Sequence, residues 1–354
     1  MTDERAYRQL NYIPTLDGWR AIAVCLVMAT HSVPMIRNGG YYLIASFFNH
    51  AGYGVDIFFG LSGFLISTLL LDERERSGTI SLRGFYTRRV FRIVPPLLVY
   101  LLVVCSAGLV LGGTEVLTSL LFLRNYVDGS WYTGHFWSLS IEEHFYLVMP
   151  LLILCLRPRA LMVTCLALIG LCIVVRWYEF TFMHVGANPQ FRTEARVDAL
   201  LWGSVLAQAV RIEGFKAQFK YLLSPTVFGA LVIATVMLLS LYDSQAFRRT
   251  LTAGVIPIIL VFTVLSPELG LGRLLETKAM RFIGRLSYSL YVWQMLFLVP
   301  ASRPLGMLQS FPFAIVMPFV MAILSYRYVE KPFIRMGHRL AARTQRPTER
   351  LARG

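Results

Sequence analysis

Long apolar segments recur along the whole chain and alternate with short polar connections. A window of about 17 to 25 mostly apolar residues is long enough to cross a bilayer as a helix. The pattern predicts ten such windows, of which the sixth is the weakest: 19–37, 53–72, 93–113, 135–156, 159–179, 195–212, 224–242, 250–266, 281–300 and 311–331. We therefore predict an all-α, polytopic membrane protein with about ten transmembrane helices.

Composition and charge agree with this prediction. The 354 residues are 56% hydrophobic and 15% charged, with a formal net charge of +14. The basic residues stand in short segments between apolar windows, without an aromatic and basic module, which argues against nucleic acid as a partner. If the windows alternate from a cytoplasmic N-terminus, most of the 34 lysines and arginines face the cytoplasm. The positive-inside rule then predicts that both termini are cytoplasmic.

The same pattern predicts one membrane domain over residues 1–336 and a basic cytoplasmic tail over 337–354. We expect the tail to be disordered or to lie against anionic lipid headgroups. No cleavage site for a signal peptide follows the first apolar window, so we expect that window to be retained. The five cysteines lie in apolar segments without CxxC spacing, which argues against a disulfide scaffold and a zinc site. We predict no bound metal.

Ionisable residues inside apolar windows are costly and therefore suggest function. Arg20 and His31 in the first window are eleven residues apart, which places them on one helix face with about 16 Å between them. A neutral imidazole at that depth can act as a general base. The alternative is a histidine that only bonds to a neighbouring helix for packing. Asp17, one turn before Arg20, can pair with it.

In the second window, Asp56 begins a stripe that continues with Gly60, Gly63 and Ser67. A stripe of small residues is typical of close helix packing. The carboxylate needs a cation, a histidine or water, and the sequence leaves its structural and functional interpretations open.

Two further segments concentrate polar groups. Arg88, Arg89 and Arg92 precede the third window at spacings that place them on one helical face, where they can clamp phosphates or act as topogenic charge. In the fourth window, His135, Glu142 and Tyr146 share a face. Glu143 adds a second carboxylate beside Glu142. These carboxylates can form a structural salt bridge with a cation, orient a histidine or bind a polar substrate.

Seven segments, taken in order, resemble the acyltransferase-3 family of bacterial integral membrane acyltransferases. They are LDGWRAIAVCLVMATHS, YGVDIFFGLSGFLIS, FYTRRVFRIVPP, HFWSLSIEEHFYLVMPLL, RVDALLWG, GRLSYSLYVW and SYRYVEKPF. The resemblance implies transfer of an acyl group, most often acetyl, from cytoplasmic acetyl-CoA to a hydroxyl. The implied acceptor is a cell-envelope carbohydrate or its lipid-linked precursor, and the implied location is the bacterial inner membrane. Some members carry an added extracytoplasmic esterase-like domain; we expect this chain to act without one, as a stand-alone membrane unit or with a separate partner.

The resemblance also suggests roles for individual residues. The family's Arg-x10-His pattern falls on Arg20 and His31, its Arg-x-x-Arg pattern on Arg89 and Arg92, and its WSL-x-x-Glu element begins at Trp137. The expected catalytic residues are His31 as the base, with Glu142 or Asp56 to orient it. The expected donor-binding residues are Arg20, Arg88, Arg89 and Arg92, and the expected substrate-binding residues are His135, Trp137, Glu143, Tyr146 and Tyr291.

The chain departs from the family pattern at two positions. Gln294 stands where histidine is frequent, which argues against a catalytic role there, and His144 stands where glutamine is common. The competing hypothesis is a transporter, because buried ionisable residues also describe a permeation path. The absence of a sequence repeat and of matched broken helices argues against it. A peptidoglycan sugar, a macrolide-like small molecule and a lipid headgroup all remain open as acceptors.

Overall fold

The computed structural model describes residues 12–38, 52–182, 191–242, 244–299 and 304–351. All regular secondary structure in these ranges is helical, which confirms the all-α prediction. The α-helices are, in chain order, α1 (Pro14–Asn38), α2 (Gly54–Ser77), α3 (Leu82–Ser106), α4 (Gly113–Leu120), α5 (Trp131–Gly134), α6 (Phe136–Cys155), α7 (Pro158–Phe182), α8 (Asp198–Ala209), α9 (Phe215–Leu222), α10 (Pro225–Leu241), α11 (Gln245–Leu265), α12 (Gly270–Leu275), α13 (Lys278–Phe297), α14 (Phe313–Ser325) and α15 (Lys331–Leu351).

Six of the described helical segments are long and apolar enough to cross a membrane. They are α2, α3, α5 with α6, α7, α11 and the continuous segment Phe313–Arg343. The pair α9 and α10, bent by 67°, adds a seventh if it forms one crossing. A polytopic membrane protein is thereby confirmed, whereas the count of ten crossings and the cytoplasmic termini stay predictions.

The difference between ten windows and six or seven spans has physical causes. The window 195–212 contains α8, whose 12 residues reach about 18 Å and cannot cross the roughly 30 Å hydrocarbon core. The helices α1 and α13 have 25 and 20 residues, which is long enough, but polar groups on their packed faces lower their hydropathy. Those polar groups line the site described below.

Glycines allow two of the closest helix crossings. A Cβ atom on Gly203 of α8 would lie 2.5 Å from the carbonyl oxygen of Gly60, and one on Gly63 would collide with the Leu200 carbonyl. The backbones of α2 and α8 are therefore in contact, as the small-residue stripe in the second window predicts. Gly284 of α13 packs in the same way against the backbone of Asp17 in α1.

Side chains join the helix termini into two polar layers. At the end where residues 78–81 connect α2 to α3, here called the α2–α3 end, Arg74 donates to the carbonyls of Ile153 and, at 2.7 Å, Leu156. At the opposite end, Trp131 Nε1 donates to the Leu298 carbonyl at 3.0 Å, and Gln309 Nε2 donates to Leu296 at 2.7 Å. These bonds fix the relative depth of helices that lie far apart in sequence.

The C-terminal segment is helical. A π-helical turn at Tyr326–Glu330 leads into α15, so residues 337–351 are helical rather than disordered, and the predicted contact with anionic lipid headgroups stays a prediction. Gly337 packs against Phe91 of α3, and Ala341 is 1% exposed. The prediction considered only the charge of the segment, whereas its small and apolar residues recur on one helix face and pack on α3.

Candidate active site

A cavity of about 270 Å³ lies among α1, α2, α3, α6, α13 and α15. Its polar and ionisable lining residues are Arg20, Ser62, Glu73, Arg88, Arg89, Arg92, Ser138, Glu142, Tyr146, Ser287, Tyr288, Tyr291 and His338. We call it the basic cavity. All four predicted donor-binding arginines line it, together with Glu142, Tyr146 and Tyr291.

The first turns of α3 position three of the arginines. The Ser81 side chain caps this helix by accepting a hydrogen bond from the Gly84 amide at 3.2 Å. Helical spacing then brings the three side chains to the cavity. The guanidinium carbon of Arg89 lies 3.6 Å from the centre of the Tyr146 ring, a cation–π contact. Arg88 has a long contact of 3.9 Å with Glu73.

Arg20 reaches the same cavity from α1. It forms an ion pair of 2.8 Å with Asp17, as the sequence suggests. Glu330, 1% exposed, interacts electrostatically with Arg92 and Arg20 from behind the cavity wall and accepts a hydrogen bond from Ser289 at 2.8 Å. The cavity surface therefore carries more positive than negative charge, which favours an anionic ligand.

Glu142 belongs to this wall. Its carboxylate accepts hydrogen bonds from Tyr146 Oη at 3.0 Å and Ser62 Oγ at 3.3 Å. Arg89 and Arg92 lie close enough to interact with it electrostatically. Among the contacts of the described residues, none joins Glu142 to His31, so the predicted orienting role is not what the geometry shows.

Tyr291 lies between the basic cavity and the more deeply buried side chain of His135. Its hydroxyl donates to the His135 carbonyl at 2.5 Å and lies 2.5 Å from Ser138 Oγ. The His135 ring lies behind it, with 5.3 Å between ring centres. Neither ring nitrogen of His135 has a hydrogen-bond partner among the described residues, and the Val292 carbonyl beside it is outside hydrogen-bond geometry.

His31 lies next to this buried group. Its ring packs edge-on against Trp131, with centres 5.9 Å apart, and its Nδ1 is buried without a hydrogen-bond partner among the described residues. The Gln294 amide lies beside it, outside hydrogen-bond geometry. Gln294 follows Tyr291 by three residues, about 4.5 Å further along α13. We call His31, His135 and Gln294 the histidine layer.

Gln294 is the residue that sequence reasoning missed. It is fully buried, and both polar atoms of its amide lack a partner among the described residues. Burial of unpaired polar groups costs about 1–3 kcal/mol each, so three side chains of this kind at one depth indicate a place for a polar ligand. Its position on the face of α13 that also holds Tyr291 was the available signal.

Asp56 lies elsewhere, which corrects its predicted role. Its carboxylate accepts hydrogen bonds from Arg196 at 2.5 Å, Arg249 at 3.2 Å and Thr252 at 3.4 Å. Beside it, Arg176 and Asp198 form an ion pair of 2.5 Å in which both side chains are 1% exposed. We call these residues the buried ion network. Asp56 therefore neutralises cations brought by α11 and the segment before α8, rather than orienting His31.

Three predicted substrate-binding residues lie outside the cavity lining: His135, which belongs to the histidine layer, and Trp137 and Glu143. Trp137 packs on Phe59 and Phe191, and its ring lies 5.7 Å from the guanidinium of Arg196, so it belongs to the buried ion network. Glu143 interacts electrostatically with Arg89 and Glu142, and its Oε1 atom has no hydrogen-bond partner among the described residues.

A cluster of polar side chains joins α6 to the loops before α5 and before α8. His144, at one of the two departures from the family pattern, shares a hydrogen bond of 2.7 Å with Thr193 and stacks on Tyr126. Burial raises the pKa of Tyr126 above its ordinary value, so its hydroxyl stays protonated and donates to Glu194 at 2.8 Å. Arg192 pairs with Glu194 at 2.6 Å, which ties this group together.

Comparison with known proteins agrees with the family resemblance of the sequence. The profile of a family described as an acyltransferase domain matches residues 13–327. The O-acetyltransferase OatA of Staphylococcus aureus (strain MRSA252) is 28% identical in an alignment that covers 97% of this chain and 60% of that protein.

Two further relatives cover similar shares. A protein of Bacillus subtilis (strain 168), whose name proposes a peptidoglycan O-acetyltransferase, is 29% identical over 94% of this chain and 56% of its own length. A provisionally named O-acetyltransferase of Staphylococcus aureus (strain COL) is 28% identical over 94% of this chain and 59% of its own length. The chain thus spans less than two thirds of the length of these relatives. No solved structure matches it significantly.

Proposed function

The chain belongs to the acyltransferase-3 family, and from this premise we propose that it is a membrane O-acetyltransferase. It moves an acetyl group from acetyl-CoA, bound in the basic cavity, to a hydroxyl of a cell-envelope carbohydrate or its lipid-linked precursor. The observation that carries the proposal is the position of the histidine layer directly behind a cavity lined by four arginines.

The cavity fits the chemistry of the donor. Coenzyme A carries phosphate groups at one end and its thioester at the other. Guanidinium groups bind phosphate through charge-assisted, often bidentate hydrogen bonds, and Arg20, Arg88, Arg89 and Arg92 present four of them on one surface. The rise of about 16 Å between Arg20 and His31 along α1 suits an extended pantetheine arm. The thioester then lies beyond Tyr291.

The chemical step needs one base. His31 takes the proton from the acceptor hydroxyl, the oxygen attacks the thioester carbonyl carbon, and the carbon–sulfur bond breaks. The proton held on the imidazole then passes to the departing thiolate, so the products are an acetyl ester and free coenzyme A. Gln294 and His135 are the polar neighbours of this imidazole, whereas among the described residues no contact joins Glu142 or Asp56 to it.

The acceptor is proposed from the relatives and the topology. The name of the Bacillus subtilis relative proposes a peptidoglycan O-acetyltransferase, and we propose a carbohydrate hydroxyl as the acceptor for this chain as well. With cytoplasmic termini, the basic cavity opens toward cytoplasmic acetyl-CoA in the bacterial inner membrane. His31 then lies toward the opposite end, from which an envelope glycan approaches. The outer loops at 39–51 and 183–190 lie outside the described residues.

Transfer of labelled acetyl groups tests the proposal. The full chain in nanodiscs is supplied with radiolabelled acetyl-CoA and soluble peptidoglycan fragments, and labelled ester is separated from labelled donor. We expect ester formation with equal release of free thiol. Movement of an acceptor glycan across sealed vesicles without thioester consumption would instead support the transporter hypothesis.

A further inference from the structure

The helix α15, which carries many basic residues, contributes to the basic cavity. Ile334 and His338, four residues apart on one face, line the cavity. Gly337 and Ala341 continue this face, and a Cβ atom on Gly337 would lie 2.6 Å from the Cβ of Phe91. Phe91 stands between Arg89 and Arg92 in sequence. The backbone of α15 is thus seated on the helix that carries the donor-binding arginines.

A second face of α15 is basic. Lys331, Arg335, Arg339 and Arg343 recur every four residues and are all exposed. Residues at this spacing form a continuous stripe along a helix, with a drift of about 40° per step. No acidic residue occurs between Lys331 and Arg343. The stripe therefore presents four cations in a row.

A third face is apolar and also exposed. Phe333, Met336 and Leu340 are 37%, 41% and 37% exposed, and helical geometry places them on the side of the basic stripe away from the packed face. An exposed apolar face beside a basic face suits the boundary between acyl chains and lipid headgroups. The candidate membrane span Phe313–Arg343 includes α15 as far as Arg343, so both faces lie at the end of that span.

We propose that the basic stripe of α15 binds anionic lipid headgroups and that this binding holds the wall of the basic cavity in place. The apolar face selects a lipid surface over an acidic protein, because it enters the acyl boundary while the stripe meets the phosphates. Lipid that fixes α15 also fixes Ile334 and His338 against α3. Affinity for acetyl-CoA then depends on anionic lipid; the identity of this cavity ligand rests on the proposed function.

The experiment compares matched pairs of charge removals. One variant carries Arg335→Gln and Arg339→Gln on the stripe. The control carries Arg157→Gln and Arg159→Gln, which remove two exposed arginines from the α6–α7 connection and the first turn of α7, at the same end. Each protein is placed in nanodiscs of phosphatidylcholine alone or mixed with phosphatidylglycerol. Acetyl-CoA binding is measured by calorimetry, and retained phosphatidylglycerol by native mass spectrometry.

We expect phosphatidylglycerol to tighten acetyl-CoA binding in the wild type and the control but not in the stripe variant. Retention of this lipid should fall about fivefold for each arginine removed from the stripe. Equal lipid retention in all three proteins, or the same response of acetyl-CoA binding, overturns the proposal. If no protein binds acetyl-CoA under any condition, the proposed function and the coupling both fail, whereas lipid retention still decides whether the stripe is a lipid site.

Discussion

Two arginine-rich regions lie in the same fold and differ in how their charges are matched. In the buried ion network, Arg176 and Arg196 are 1% and 3% exposed, and each meets a carboxylate at 2.5 Å. In the basic cavity, Arg20 and Arg88 are 22% and 30% exposed, and the contact of Arg88 with Glu73 is 3.9 Å long. Arginines with close carboxylates stabilise the helix assembly, whereas arginines that line a cavity with fewer counterions are ready to bind an anion.

The largest effect should come from breaking the buried ion network. Asp56→Ala leaves Arg196 and Arg249 without their carboxylate, and an uncompensated buried charge costs about 3–5 kcal/mol. We expect a strong loss of thermal stability in detergent, with acetyl-CoA affinity little changed in the protein that remains folded. A stability equal to that of wild type would contradict the structural role of this network. Arg157→Ala, on an exposed connection, serves as the control.

The converse change removes two cavity arginines. Arg89→Ala with Arg92→Ala should raise the KM for acetyl-CoA at least about a hundredfold, since each of the two lost hydrogen bonds to a charged group contributes about 1.5–3 kcal/mol. We expect only a small change in melting temperature. Steady-state kinetics measures the effect. The double lysine variant keeps the charge but loses the bidentate geometry, so its KM should lie between those of the wild type and the double alanine variant. An unchanged KM would remove the phosphate-binding role.

A smaller effect should follow from Glu142→Gln. The amide oxygen can still accept the hydrogen bond from Tyr146, but the negative charge beside Arg89 and Arg92 is lost. If Glu142 only balances these arginines, acetyl-CoA binds equally or more tightly and kcat falls less than tenfold, the change of about 1.4 kcal/mol expected for a modest electrostatic effect. A loss of kcat as large as that of a His31 variant would restore the orienting role that the sequence predicts.

The smallest effect should come from Trp137→Phe. The ring lies 5.7 Å from the Arg196 guanidinium, and the weaker cation–π partner should cost about 0.5–1 kcal/mol of stability. The KM for the acceptor should stay the same, because the structure places this residue in the buried ion network. Acceptor titrations check this, and a raised acceptor KM with unchanged stability would support its predicted substrate-binding role instead.

The sequence predicts the helical membrane fold and most of the basic cavity because both depend on local patterns. Arg88, Arg89 and Arg92 lie within two turns, and Glu142 and Tyr146 lie one turn apart, so helical periodicity alone groups them. Asp56 could not be assigned in this way, because its partners Arg196 and Arg249 follow it by 140 and 193 residues. Packing between distant helices decided its role.

The histidine layer illustrates the same limit. The spacing along α1 relates His31 only to Arg20, whereas the neighbours of His31 come from α5, from the residue between α5 and α6, and from α13. A family pattern with histidine at position 294 led away from Gln294, although glutamine keeps a donor and an acceptor at that place. The C-terminal helix was missed because charge was read without the helical spacing of Ile334, Gly337 and Ala341.

We propose that His31, in the histidine layer behind the basic cavity, is the catalytic base, and the His31→Ala variant tests this role. General base catalysis contributes about 10²–10⁴-fold, so we expect a fall of that size in kcat for acetyl transfer in nanodiscs. Affinity for acetyl-CoA and thermal stability should match the wild type, since the arginines that bind the donor are unchanged. A variant that retains most of its kcat would contradict the account.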